Sequence, residues 1–323
     1  MNFLKKNRIS VIVPACNAES TIEECVGSII GQDYDNIECI IVENNSADRT
    51  YEICAALAAS ESSVKLFRSS GKGVSAARNI GLKKAEGGII GFCDADNCLE
   101  PGVLAEVNRE FENNNDLDCI IGALYREANG QKTYFGLNKR IVSHREAMER
   151  ILCDNRVMGS VCNKYYKKEA LKDVFFDEEL THCEDTHFNI SAISRVGFGS
   201  ILITNSAFYV YRYNPDSATN RFGLLFNENN ELQYIQAINR IMETDGLNRE
   251  VIAHASMAKA VLALDYLKVC KEDKSKSEKL YAELKNNFKY LVRYSCKYGL
   301  KIGVKRILLG LWYFLRNPFR ENG

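Results

Sequence analysis

The chain has 323 residues, with 42 basic and 42 acidic side chains, 46% apolar residues and only four prolines. This composition can bury a large core, so it excludes a disordered chain and predicts one large domain with a smaller addition, or two domains. The balanced charge lacks the basic excess through which nucleic-acid binders neutralise phosphates. We therefore expect no nucleic-acid partner.

The twelve cysteines include no pair at the CxxC spacing of zinc ribbons or thioredoxin-type motifs. Many lie inside apolar runs, as Cys39 and Cys93 do, which is typical of core thiols in a reducing cytosol. A disulfide framework is the less favoured alternative. Residues 1–8 are basic but lead into a strand pattern rather than a signal-peptide core, and no stretch reaches the roughly 20 apolar residues of a membrane span. We expect a cytoplasmic protein.

Up to about residue 125, short β-branched runs alternate with amphipathic helical stretches, which predicts βαβ units around a mostly parallel sheet. Strands are predicted at residues 9–13, 37–42, 64–67 and 89–93, and helices at residues 20–32, 49–59 and 75–84. Pro14 is expected to stop the first strand. Ser20 and Glu23 are expected to form a capping box for the first helix.

The middle third of the chain is less regular. The pattern predicts a strand at residues 119–125, helices at residues 144–153 and 184–195, and either a strand pair or one long edge strand at residues 201–213. From about residue 222, long helical patterns alternate with polar stretches. We therefore predict an α/β domain over residues 1–220 and a helical region over residues 221–323.

Polar residues directly follow three of the predicted strands. Pro14 and Asn17 follow the first, Glu43 follows the second, and Asp94 and Asp96 follow the fourth. Ligands of open α/β sheets bind outside the carboxyl ends of the strands, so these residues predict a shared site. Each taken alone is also ordinary turn chemistry.

The Asp94-Ala95-Asp96 sequence places two carboxylates just past an apolar strand, where their repulsion is costly unless a cation or ligand donors offset it. Hard oxygen ligands suit Mg²⁺ or Mn²⁺, which bind through one or two carboxylates together with substrate phosphates. The pair therefore predicts a Mn²⁺ or Mg²⁺ cofactor and a nucleoside diphosphate. An Asp-rich turn before a helix is the alternative.

Several ordered motifs resemble the family 2 inverting glycosyltransferases, which have the GT-A fold. They are residues 10–14 with Asn17, residues 42–50, residues 73–81, Asp94-Ala95-Asp96, and residues 163–168, 176–178, 183–188, 209–212 and 217–219. The resemblance covers about residues 8–220 and is similar to members that extend bacterial surface polysaccharides. It implies transfer from a nucleotide diphosphate sugar, specifically a UDP-sugar, to a glycan or lipid-linked acceptor.

The resemblance also implies roles for single residues. The donor-binding residues would be Pro14, Asn17, Glu43, Asp48, Arg78, Asp94 and Asp96. Glu43 stands where the family usually has an Asp that accepts hydrogen bonds from uracil, and Cys16 stands where a Tyr often contacts the base. Arg78 would donate to phosphate or to the carboxylates of the DxD motif. Asp96 would ligate the metal.

Glu184-Asp185 resembles the ED motif of the family, in which the Asp is the general base. An attacking hydroxyl must lose its proton as the new bond forms, and a nearby carboxylate can accept it. Metal and phosphate contacts would stabilise the leaving group, so a single displacement would invert the anomeric centre. The two acids could instead only start a helix. Lys164, Glu184 and Arg212 are further candidates for contacting acceptor or phosphate.

The segment 297–320 mixes basic residues with Leu, Trp and Phe, a pattern typical of helices on anionic membrane surfaces. Such a segment would hold the protein at the inner face of the plasma membrane, and docking onto the catalytic domain is an equal alternative. Two other functions compete with glycosyl transfer. A nucleotidyltransferase would be expected to show a glycine-rich loop after the first strand, and a catalytically silent nucleotide-sugar binding protein would need no base.

Overall fold

A computed structural model describes residues 7–71, 73–154, 156–195, 199–212, 226–270, 272–294 and 307–311. The strands are β1 Ile9–Ala15, β2 Ile37–Glu43, β3 Val64–Arg68, β4 Ile89–Phe92, β5 Cys98–Leu99, β6 Leu117–Ala128, β7 Gln131–Phe135, β8 Arg140–Val142, β9 Lys164–Lys167 and β10 Ser200–Arg212. The helices are α1 Ile22–Ile30, α2 Thr50–Ser60, α3 Gly73–Lys84, α4 Val103–Asn113, α5 His144–Cys153, α6 Glu184–Arg195, α7 Gln233–Met242, α8 Arg249–Leu267 and α9 Lys274–Tyr294.

The strands form one mixed sheet in the order β3-β2-β1-β4-β9-β6-β10-β5, with β7 on β6 and β8 on β10. Strands β1 to β4 are mutually parallel, with β1 between β2 and β4. Every residue of β1 and β2 is buried, as expected for β-branched strands that helices cover on both faces. The predicted α/β fold with parallel strands in its first part is confirmed.

Strand β1 continues through Pro14 and ends at Ala15, so the prediction that Pro14 stops it is wrong. The carbonyl of Ala15 accepts from the Asn44 N–H on the β2 side, and the carbonyl of Ile12 accepts from the Cys93 N–H on the β4 side. Successive residues of a strand form hydrogen bonds to alternate sides, so the nitrogen of Pro14 faces the β4 side. It lies beyond the last residue of β4 that pairs with β1. The missing N–H of proline therefore costs no hydrogen bond of the sheet.

Helix α1 begins at Ile22, with Thr21 as an N-cap that makes no side-chain capping bond, so the predicted capping box is not formed. The preceding turn is closed by the backbone instead. The N–H groups of Thr21 and Ile22 both donate to the carbonyl of Ala18, and the Ala18 N–H donates to Thr50 Oγ1. Tertiary contact with α2 thus replaces the local motif.

Strand β10 is one long strand with irregular register against β6, its parallel neighbour. It is not the edge strand that one prediction gave, because β5 and β8 pair with its other side. Strand β9 lies antiparallel between β4 and β6 and closes the gap between the two parallel blocks. Its neighbours come from distant parts of the chain, which no local pattern reveals.

Helices α7 to α9 form a second apolar cluster that packs through α7 on α6 and through α8 on α5. The predicted helical C-terminal region is thereby confirmed. The predicted boundary near residue 220 and the segment 297–320, apart from residues 307–311, lie outside the described residues. No helix in the described ranges combines the length and apolar character of a membrane span. The eleven cysteines of these ranges are free thiols.

Candidate active site

A cleft of about 420 Å³ opens at the carboxyl ends of β1 and β4. Five of the predicted donor-binding residues line it, namely Pro14, Asn17, Arg78, Asp94 and Asp96. Asn44, at the end of β2, also lines this cleft. The parallel strands bring these residues together because their carboxyl ends meet at one edge of the sheet.

Close packing of α3 on the sheet brings Arg78 to the cleft. Gly81 permits this packing, because a Cβ at that position would lie 2.3 Å from Ile12 Cγ2. The neighbouring Asn79 holds Phe176, which lies in the segment that follows β9. Its side-chain oxygen accepts from the Phe176 N–H at 2.8 Å, and its amide donates to the Phe176 carbonyl at 3.0 Å. The phenyl ring of Phe176 then lies 5.2 Å from the guanidinium of Arg78.

The Arg78 guanidinium joins three carboxylates while the residue is only 3% exposed. Nη2 donates to Asp94 at 2.8 Å, and Nη1 donates to Asp185 at 2.6 Å and to Glu184 at 3.1 Å. A buried cation is stable only when it is paired in this way. One side chain thus connects the DxD loop to the predicted catalytic pair.

Asp185 lies in the first turn of α6, and both of its carboxylate oxygens are held. Oδ1 accepts from Arg78, and Oδ2 accepts from the backbone N–H of Val161 at 3.1 Å. Burial raises the pKa of Asp185 to about 7, and the charges of Glu184 and Asp94 act in the same direction against that of Arg78. A carboxylate that titrates near neutral pH suits proton transfer.

The DxD loop is fixed to β10 through Asn97, a residue that the sequence interpretation missed. Its amide donates to Asp96 at 2.5 Å, and its side-chain oxygen accepts from the Arg212 N–H at 2.7 Å. The hydroxyl of Tyr209, also on β10, contacts Asp94 at 3.5 Å. The only sequence signal for Asn97 was its place next to the DxD motif. Its partner on β10 required the fold.

Glu43 and Asp48 do not line the cleft. Glu43 is 1% exposed, and its carboxylate accepts from the Ser46 N–H at 2.6 Å and from Arg68 at 3.2 Å. Asp48 accepts from the N–H groups of Thr50 at 3.0 Å and of Glu19 at 3.2 Å. Both residues hold the loop that follows β2.

Lys164 is fully buried, which contradicts a direct contact with acceptor or phosphate. Its ammonium donates to backbone carbonyls of residues 158 and 160, at 3.0 and 2.5 Å. Arg212 pairs with Glu24 at 2.7 Å and lines a neighbouring cavity rather than the cleft. Among the three candidates for acceptor or phosphate contact, Glu184 has a side chain that pairs with a residue lining the cleft, Arg78.

Two further features of the described residues lie away from the cleft. A larger cavity of about 620 Å³ lies between α7 and α9 and contains none of the predicted site residues. Glu149, Glu250 and His254 bring potential metal-ligand atoms within 4.8 Å of one another. This group lies at the packed interface of α5 and α8, far along the chain from the DxD loop. The predicted donor-binding residues that line a cavity are therefore grouped at the smaller cleft.

The sequence model of Glycosyl transferase family 2 matches residues 10–175, which is more than half of the chain. The chain belongs to this family. Among its curated relatives is the uncharacterized glycosyltransferase EpsJ of Bacillus subtilis, 30% identical over 218 residues. That match covers 65% of this chain and 62% of EpsJ, so the chain matches less than two thirds of the relative's length.

Two solved structures share the architecture. Residues 1–349 of TarS from Staphylococcus aureus, in complex with UDP, match with a TM-score of 0.66 and 18% identity. This match covers 97% of our chain and 93% of the TarS chain. The mannosyltransferase PcManGT from Pyrobaculum calidifontis, in complex with GDP-Man and Mn²⁺, matches with a TM-score of 0.56, 17% identity, and 98% and 89% coverage. The predicted GT-A fold is thereby confirmed.

Proposed function

We propose that this protein is an inverting glycosyltransferase that moves a sugar from a UDP-sugar to a glycan or lipid-linked acceptor in bacterial surface-polymer synthesis. The observation that carries the proposal is the buried Arg78, which joins Asp94 of the cleft to the Glu184-Asp185 pair. A donor in the cleft would therefore lie next to a carboxylate suited to accept a proton. Membership of family 2 supports the same reaction class.

The donor would occupy the cleft at the ends of β1 and β4. Asn17 and Asn44 line the cleft with amide groups, and Asp96 lines it with a carboxylate that could hold a cation, whereas Arg78 is already paired with three carboxylates. Amide groups beside a carboxylate that can hold a metal ion suit a nucleoside diphosphate, which needs hydrogen-bond partners for the nucleoside and a cation near the phosphates. Uridine is the base that we favour, because TarS, which shares the fold, binds UDP.

Asp96 is the residue that we propose as the metal ligand. It lines the cleft and is partly exposed, whereas Asp94 is held by Arg78 at 2.8 Å. One carboxylate combined with diphosphate oxygens is the ligand set that Mg²⁺ and Mn²⁺ accept. When bound, the ion would neutralise the charge that develops on the leaving diphosphate. Asp94 would lie next to the ribose or the donor sugar.

Asp185 would act as the general base. As an acceptor hydroxyl attacks the anomeric carbon, the bond from that carbon to the diphosphate oxygen breaks, and Asp185 takes the hydroxyl proton. A single displacement of this kind inverts the anomeric configuration and leaves no covalent glycosyl-enzyme. Arg78 and the Val161 N–H hold the carboxylate in one orientation, so the base is positioned before the acceptor binds.

The acceptor is the second substrate of the proposed reaction. We propose a glycan or lipid-linked acceptor at the inner face of the membrane, because TarS, a relative by sequence, is named a poly(ribitol-phosphate) beta-N-acetylglucosaminyltransferase. The basic and apolar residues of segment 297–320 support peripheral contact with anionic lipid. Co-sedimentation with anionic vesicles at low salt, with and without that segment, tests this contact.

The two competing functions fit the site less well. A nucleotidyltransferase needs a glycine-rich phosphate loop after the first strand, whereas Pro14, Ala15, Cys16 and Asn17 occupy that place. A silent binding protein has no use for a carboxylate with a raised pKa beside the cleft. Release of UDP together with a glycosylated product separates glycosyl transfer from both alternatives.

The proposal is tested by donor binding and product release on the full chain. With Mn²⁺ present, UDP should raise the melting temperature, since a ligand at a hundredfold excess over its Kd stabilises by about 2.7 kcal/mol. UDP-sugars and a panel of glycoside acceptors should then release UDP and give a product of inverted configuration by NMR. Asp118→Asn is a matched control, because Asp118 pairs with His144 at 3.0 Å outside the cleft. Absence of any nucleotide-dependent stabilisation would reject the donor site.

A further inference from the structure

Lys164, the first residue of β9, is an ammonium group enclosed by the protein. It is 0% exposed, and it donates to Asn163 Oδ1 at 2.9 Å and to the carbonyls of Met158 and Ser160 at 3.0 and 2.5 Å. The carbonyl of Val157 lies at 3.5 Å. Burying a cation is costly unless such acceptors surround it. The backbone carbonyls of residues 157, 158 and 160 therefore converge on the Lys164 ammonium.

The turn of residues 157–161 carries the N–H that holds the proposed base. Its last residue, Val161, donates to Asp185 Oδ2 at 3.1 Å. The turn also packs closely against α6, because a Cβ on Gly159 would lie 2.1 Å from Thr186 Oγ1. From α6, Asn189 donates to the Gly159 carbonyl at 2.6 Å. A shift of this turn therefore moves the hydrogen bond on Asp185.

We propose that Lys164 is a positioning residue for the general base: by binding the carbonyls of residues 157, 158 and 160, it holds the Val161 N–H on the carboxylate of Asp185. This inference rests on the proposed function. Lys164 touches neither the cleft nor a reacting atom, so its contribution is transmitted through the turn. A displacement of about 1 Å at a catalytic group can lower the rate a hundredfold, so a positioning residue such as Lys164 can change turnover without touching the substrate.

The charges around the two groups support a coupling between them. Burial lowers the pKa of Lys164 to about 8, and the nearby Cys119, Asp185 and Cys162 oppose this effect. Asp185 faces Arg78 from α3, Glu184 from its own helix, and Asp94 from the loop after β4. Because the interaction of Lys164 with Asp185 is mutual, loss of the ammonium and of the Val161 hydrogen bond should raise the pKa of Asp185 further.

The first test compares Lys164→Met with Lys259→Met in the full chain. Lys259 is a matched control, since it is also buried and donates to Asn239 at 2.8 Å, but it lies in α8 outside the site. We expect Lys164→Met to lower kcat by roughly tenfold to hundredfold. The Kd for UDP with Mn²⁺ should stay within about twofold of that of the parent protein, because the donor cleft is untouched, and the acidic limb of the kcat profile should move to higher pH. Lys259→Met should change neither kcat nor the profile.

Unchanged kcat and an unchanged pH profile in Lys164→Met would overturn the inference, as would an equal loss of kcat in the control. If Lys164→Met does not fold, Lys164→Arg replaces it, because a guanidinium keeps the charge but cannot occupy the same point among the carbonyls of residues 157, 158 and 160. The same loss of kcat with retained UDP affinity is then expected, and normal kcat would again overturn the inference. Failure of the proposed function is seen separately, as absence of transfer by the parent protein.

Discussion

The two acidic pairs of the site are joined by one guanidinium but differ in their surroundings. Asp94 and Asp96 follow a parallel strand and line an open cleft, and the Asp94 side chain is 31% exposed. Glu184 and Asp185 begin a helix, and their side chains are 14% and 17% exposed. Burial raises the pKa of Asp185 to about 7, so this carboxylate binds a proton more tightly than a solvated one does. The same residue type can therefore serve a metal on one side of Arg78 and a proton on the other.

The largest expected effect separates the two members of the second pair. Asp185→Asn keeps the size of the side chain and removes the base, so turnover should fall by roughly a hundredfold to ten-thousandfold while UDP affinity is retained. Glu184→Gln should cost less, because Glu184 meets Arg78 but is not the proposed proton acceptor. Steady-state rates and UDP titrations on both variants provide the measurement. A normal rate in Asp185→Asn would place the base elsewhere.

The next effect concerns the first pair. Asp96→Asn should weaken UDP binding in the presence of Mn²⁺ by at least roughly tenfold, or ~1.4 kcal/mol, because a metal ligand is lost at the diphosphate. The fold should be retained, since Asp96 lines the cleft and lies outside the core. Calorimetric titration with and without Mn²⁺ checks the prediction. If the parent protein keeps full activity in a chelator, the metal assignment fails.

The pH dependence distinguishes the two pairs without a mutation at the metal site. Turnover should fall about tenfold per pH unit below pH 7, because the pKa of Asp185 is raised to about 7 and only its ionised form accepts a proton. Stability should change in the opposite direction. The folded protein holds this proton more tightly than the unfolded chain, so the contribution of Asp185 to the free energy of unfolding decreases as pH rises from 3.8 to about 7.

Rate profiles and urea unfolding at several pH values test both trends. In the unfolding series, Asp185→Asn should lack this decrease with pH and so gain stability relative to the parent protein as pH rises toward 7. Asp118→Asn again provides the control, since its pairing with His144 lies outside the site. A rate that does not change between pH 5 and pH 8 would contradict the role of Asp185.

The smallest effect is expected at Glu43, whose carboxylate holds the loop that follows β2. UDP should stabilise the parent protein more than GDP does, and Glu43→Gln should narrow this difference by about 1 kcal/mol, because one acceptor of the Ser46 N–H loses its charge. Thermal shifts with both nucleotides and Mn²⁺ are sufficient. Equal stabilisation of the parent protein by UDP and GDP would reject a role of Glu43 in base preference.

The sequence by itself determined the α/β pattern and most of the residues that lie around Asp94 and Asp96. Strand periodicity and the polar residues that follow each strand are local properties, and parallel strands bring such residues to one edge whatever the details. Asn17 and Asp96 could therefore be assigned to one cleft before the fold was known, and the family resemblance added Arg78. The predictions that Pro14 stops β1 and that Ser20 forms a capping box were wrong. At both places, contacts with distant strands and helices outweighed the local sequence signal.

The tertiary structure alone decided what surrounds the second pair. Lys164 reads in the sequence as a solvated lysine or a phosphate ligand, yet it is enclosed because β9 lies between β4 and β6. Glu43 reads as a ligand contact, yet Arg68 of β3 and the Ser46 N–H occupy its carboxylate. Burial and charge pairing depend on which distant elements become neighbours. The raised pKa of Asp185 follows from that arrangement, whereas its assignment as the base was already implied by the Glu184-Asp185 motif.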